Sequence, residues 1–137
     1  MNLQQPKSAG TNHEEAVIKA FMLPNRQERF LTLLSNAKRR KEFTNSLAHF
    51  NGLNPKFVQG IPSSQQNPIS ILGSLKAHGA GTKCWVISED SSLDAREMNL
   101  EDALRETVGR DIGTIISCVP GKVAYFEDED YRLLLLR

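Results

Sequence analysis

The chain has 137 residues, 39% apolar and 24% charged, with a formal net charge of +1. That size and mixture describe one ordinary globular domain and exclude a wholly basic nucleic-acid domain, a low-complexity chain or a disulfide scaffold. No apolar run approaches the roughly 20 residues of a membrane span, and polar Met1–Gly10 lacks the apolar segment of a secretory signal, so a cytoplasmic protein is expected.

The first eleven residues, with Pro6 and Gly10, read as a flexible tail ahead of a single domain over 12–137. Asn12 suits a helix N-cap, Glu14 and Glu15 suit the positive end of the helix dipole, and Val17, Ile18, Phe21 and Met22 make an apolar side. Residues 26–50 resemble one long helix until the apolar phase is followed. Phe30, Leu34 and Ala37 form one stripe, and Phe43, Leu47 and Phe50 form another roughly 200° around the axis. A straight helix would bury opposite faces at its two ends. The phase shift therefore predicts two helices, about 25–34 and 37–50, with a break at Ser35-Asn36.

Asn51-Gly52 closes this helical region, and Phe57–Gln59 suits a short strand. Asn67-Pro68 places a cap and a first-turn proline ahead of Ile69, Ile71, Leu72 and Leu75, and Gly79 ends that helix. Residues 83–88 and 112–119 read as strands joined through an amphipathic helix at 99–108. That helix is capped by Asn99, carries Glu101 and Asp102 in its first turn, and stops at Gly109. Pro120-Gly121 reverses the chain into Val123–Phe126, and Tyr131–Leu136 suits a last strand. The expected fold is α+β, with N-terminal helices packed on a small mixed sheet whose core is a β-α-β-hairpin block.

A helical crossover would make strands 83–88 and 112–119 parallel, with their carboxyl ends on one edge. Such edges hold ligands in open α/β sheets. Glu89, Asp90, Ser91 and Asp94 would meet Lys122 there, carboxylates and hydroxyls beside one ammonium group. Three carboxylates in one loop suit a divalent cation, so a metal-assisted hydrolase using Glu89, Asp90 and Asp94 is one expectation. Asp and Ser are also what turns and caps are made of.

Lys38-Arg39-Arg40-Lys41 is the second unusual feature. Four cations at the start of a helix oppose its dipole at about 0.3–1 kcal/mol each when exposed. A locally unfavourable cluster calls for a distant counter-charge, and the chain offers one. Residues 1–60 hold nine Lys/Arg against four acids, whereas residues 61–137 hold eight against twelve. Glu127-Asp128-Glu129-Asp130, the densest acidic run, reads as a solvated turn.

Other constellations are incomplete. His13, His49 and His78 lack motif partners, and no GxSxG or CxxC is present. The Gly79-Ala80-Gly81 run follows a helix and precedes a strand, the reverse of a phosphate-cradling loop. Cys84 and Cys118 fall inside buried strands and read as reduced thiols. No cofactor or metal site is expected. The leading functional reading is a small non-catalytic binding or regulatory protein acting on a protein partner through charged surfaces. The hydrolase, and nucleic-acid binding through Lys38–Lys41, are the alternatives.

Overall fold

A computed structural model describes residues 8–137. Within these residues five α-helices and six strands follow the order α1 (Ala9–Phe21), α2 (Gln27–Ser35), α3 (Arg40–Ser46), β1 (Val58–Gly60), α4 (Pro68–Ala77), β2 (Lys83–Ser88), β3 (Arg96–Asn99), α5 (Leu100–Thr107), β4 (Thr114–Val119), β5 (Val123–Glu127) and β6 (Arg132–Leu136). The strands form one sheet in the order β1-β6-β5-β4-β2-β3. The α+β class is as expected, but the sheet is antiparallel throughout rather than mixed.

Successive residues of a strand point to opposite faces, so a sheet with apolar residues at both parities needs cover on both sides. Ile87, Ile115, Ala124, Phe126 and Leu135 face a core built with Val17, Phe21, Phe30, Leu33, Phe43 and Leu47 from the N-terminal helices and the turn after α3. Val86, Ile116, Tyr125 and Leu134 face the other way, against Ile71 and Leu75 of α4 and Leu100 and Leu104 of α5. The result is a three-layer sandwich, α1–α3 on one face and α4–α5 on the other.

The helix break falls where the two apolar stripes go out of phase. Asn36 leaves helical geometry as the C-cap of α2, and its Oδ1 accepts a hydrogen bond from the Lys38 N–H at 3.0 Å. The turn lets Phe30 and Phe43 meet edge-on at 5.2 Å in one core. Ser35 plays no capping part; its hydroxyl donates back to the Thr32 carbonyl.

The parallel crossover is corrected. Trp85 pairs with Ser117 and Ser88 with Thr114, so β2 and β4 run antiparallel. The cause is β3, a strand absent from the expected scheme. It folds back on β2, with Lys83 opposite Asn99 and Val86 opposite Arg96, and α5 starts at the next residue. One added reversal inverts the direction in which β4 enters the sheet. Arg-Glu-Met-Asn carries no apolar alternation because β3 is an edge strand with only Met98 packed against a core. The first helix also starts earlier than expected, at Ala9, because the Ser8 hydroxyl accepts from the Thr11 N–H. Of the expected tail, residues 1–7 lie outside the described residues.

Gly113 sits where the turn after α3 meets the start of β4. A Cβ there would lie 2.5 Å from the Leu47 carbonyl carbon, a backbone atom with little room to yield. Gly113→Ala should destabilise the fold by about 1–3 kcal/mol, read from the urea midpoint at unchanged slope; an unaltered midpoint would contradict this packing.

Candidate functional site

Antiparallel pairing separates the residues expected to converge. Glu89, Asp90 and Ser91 follow the carboxyl end of β2, beside the start of β4, whereas Lys122 lies in the turn after β4 at the opposite end. The edge that was to bring Asp90 and Lys122 together therefore does not exist.

Each carboxylate of the β2–β3 loop has an internal task. Glu89 Oε1 accepts from the Gly113 N–H at 2.7 Å. Asp90 Oδ1 accepts from both the N–H and the hydroxyl of Ser92, at 2.9 and 2.7 Å. The Ser92 hydroxyl bond, then the backbone bond, holds the Asp90 carboxyl below its ordinary range. Asp94 Oδ1 accepts from the Ser88 N–H at 3.0 Å, closing the loop on itself. Ser91 and Lys122 are exposed. Among the described residues no three His, Cys, Asp or Glu side chains are grouped to hold a metal ion.

The structure instead joins the two features that looked separate in sequence. Arg40, from the basic cluster, reaches Asp94, 54 positions along the chain, with Nε–Oδ2 at 2.7 Å and Nη2–Oδ1 at 3.0 Å. The other edge of the same guanidinium forks onto Glu14, at 2.8 and 2.7 Å. Trp85 Nε1 then donates to Glu14 Oε2 at 2.8 Å. Side-chain exposures of 17% for Arg40, 12% for Glu14 and 16% for Asp94 place the triad well inside the surface. Burial opposes the guanidinium's charge, but hydrogen bonds and attraction from both carboxylates outweigh it and hold Arg40 above its ordinary pKa.

Each element supplies its part for a local reason. Glu14 projects from α1 at a point of close approach, since a Cβ on Gly10 would lie 2.4 Å from the Trp85 ring. The turn at residues 36–39 presents Arg40 as the first residue of α3. Ala95 completes the β2–β3 reversal with φ of 58°, a left-handed conformation that costs an alanine roughly 1–2 kcal/mol. Its N–H donates to the Val86 carbonyl at 2.9 Å, which holds it there.

Above the triad opens a cleft of about 570 Å³ between α1, α2 and the end of the β2–β3 loop. Trp85, Glu14 and Arg40 line it, with Thr11 and Lys19 from α1 and Ser35 from α2. The basic cluster itself divides. Arg39 pairs with Glu42 at 3.1 Å and Arg40 is held in the triad. Lys38 and Lys41 are exposed, with no ion pair among the described residues.

Sequence reasoning missed Glu14 and Trp85 as partners. The signals were an indole N–H within a buried strand, which needs an acceptor, and four cations placed against a helix dipole. The acidic run also divides. Glu127 is fully buried and Asp128 nearly so. Glu127 accepts from the N–H groups of Gly109 and Asp111 and from the Tyr125 hydroxyl, at 3.1, 2.8 and 2.7 Å. Only Glu129 and Asp130 form the solvated turn, beside His49.

No protein-family model, curated protein or solved structure matches this chain.

His13, one residue before Glu14, offers a check on how α1 seats against the sheet. Its Nδ1 shares a 2.7 Å hydrogen bond with the Ser117 hydroxyl. Burial lowers its pKa below the ordinary 6.5, against the opposing pull of Glu97 and Glu14. The unfolded chain then binds more protons between the folded value and 6.5, so this stability is complete above 6.5 and lost as pH falls through the folded value. Unfolding free energies measured across that window should fall more steeply for the native protein than for His13→Gln. Equal slopes would contradict the assignment.

Proposed function

We propose that this chain is a non-catalytic binding protein that engages an acidic protein surface through the face around the Arg40 cleft. The observation that carries the reading is the division of the basic cluster. Arg39 and Arg40 are neutralised within the chain, while Lys38 and Lys41 stay exposed and lie close in sequence to Ser35 and Arg40, two residues of the cleft wall. Two exposed cations, flanking in sequence residues of the cleft wall, suit recognition of a carboxylate-bearing surface. Nucleic acid is less well supported, since binding to a phosphate backbone is built from many neutralising Lys/Arg contacts and this cluster leaves two lysines exposed. Catalysis by Glu89, Asp90 and Asp94 is disfavoured because their carboxylates hold the loop and the triad together.

The test is affinity purification from the native host with the unaltered chain, Lys38→Glu/Lys41→Glu and Lys122→Ala. A protein with an acidic surface should be retained by the first and third and lost by the second, with all three melting at similar temperatures. A bound species lost equally with Lys122→Ala, or a divalent-cation-dependent rise in melting temperature, would overturn the reading. Retention of nucleic acid that weakens steeply with salt would favour the phosphate alternative.

A further inference from the structure

Cys84 and Cys118 are both buried and carry free thiols. They lie on adjacent strands, 34 positions apart in sequence, and belong to the same core beneath α4 and α5. The β2–β4 register ends with Trp85 opposite Ser117, and carrying it one step further sets Cys84 against Cys118. The hydrogen-bond parity at that step is fixed by its neighbours. Glu89 N–H donates to the Gly113 carbonyl, making Glu89–Gly113 a hydrogen-bonded pair. Bonded and non-bonded pairs alternate along an antiparallel ladder. Positions 87 and 85 of β2 are therefore bonded to β4, and positions 88, 86 and 84 are not.

On its other side β2 shows the complementary pattern. The Leu100 N–H donates to the Thr82 carbonyl, which assigns the even positions of β2 to β3. On that extension Cys84 meets Cys118 at a non-bonded site, the kind where Cα atoms approach to about 4.5 Å and side chains are closest. That spacing falls within the range of roughly 4.4–6.8 Å that disulfides usually span. Cys118 also has the freedom to adjust. The β4–β5 register shifts between Ser117 and Val119, so Cys118 is the extra residue of a bulge with no opposite number on β5.

We propose that Cys84 and Cys118 are a built-in modification site, an opposed thiol pair that a low-molecular-weight disulfide oxidises to an intramolecular disulfide. A thiolate of one cysteine attacks the external disulfide, forming a mixed disulfide and releasing one small thiolate. The second cysteine's thiolate attacks the mixed disulfide at the protein sulfur and releases the other. Two protein thiols are oxidised, the external disulfide is reduced to two thiols, and the two protons lost from the protein end on them. Burial pushes Cys84 up to about 12, and burial with the neighbouring Cys84 raises Cys118. Little thiolate is present, so exchange is slow and the equilibrium rather than the rate carries the information.

The experiment equilibrates the full chain with mixtures of reduced and oxidised glutathione, under native conditions and in concentrated guanidinium. Remaining thiols are alkylated and the linked peptides mapped. The opposed geometry predicts an 84–118 disulfide whose effective thiol concentration is at least roughly tenfold higher in the native protein than in the denatured chain. Strain-free closure of such a loop would give well over a hundredfold, so tenfold leaves room for strain. A ratio at or below one would overturn the proposal, as would a persistent mixed disulfide with glutathione. Thiols untouched by mixtures that oxidise the denatured chain would overturn it too.

Discussion

One guanidinium shared between two carboxylates organises the face of this molecule. Arg40 ties α3 to α1 through Glu14 and to the β2–β3 loop through Asp94. Trp85 extends the same network into β2. Its geometry suits arginine alone, because only a planar fork can present two edges to two carboxylates at once. Desolvating three charges is costly, and a packed apolar cluster of the same volume is often as stabilising. What it does supply is a specific placement. Without Arg40, two carboxylates would face one another across a partly buried site; without Asp94, the β2–β3 loop would lose its anchor.

The same logic recurs at the far side of the sheet. Glu127, with no exposure, uses its two oxygens to hold the segment between α5 and β4 through backbone N–H groups of Gly109 and Asp111. Tyr125 donates to it as well, and burial together with that carboxylate raises the phenol above its ordinary range. Arg132 adds a charge contact at 3.3 Å whose angle does not make a hydrogen bond. Two carboxylates, one buried and one partly buried, therefore fix the connections at one end of the sheet, Glu127 on the α5 side and Asp94 on the α1 side. The opposite end, with Lys122, lacks any comparable arrangement among the described residues.

How much of this was legible depended on whether the signal was local. The joint between α2 and α3 followed from two apolar stripes that no straight helix can bury together. The helix α5 followed from its cap, its charges and its stripe, and Asn99 does accept from the Asp102 N–H. The strand β3 did not show, because an edge strand exposed at three of its four residues can carry Arg96 and Glu97 without burying either charge. Missing those four residues reversed the direction of β4 and dispersed the proposed edge. Arg40 was half legible. Its setting against the helix dipole calls for a distant counter-charge, but the dipole of its own helix already accounts for one partner, Glu14. Pairing across 26 and 54 positions is a property of packing, not of pattern.

The central claim is that Arg40 and Asp94 act as one unit in holding the cleft face together. A double-mutant cycle of Arg40→Met and Asp94→Asn, read by urea unfolding, measures that unit directly. Coupling of about 2 kcal/mol or more is predicted, within the range for partly buried groups in one network. Additive effects to within about 0.5 kcal/mol, as for an exposed surface pair, would contradict the account.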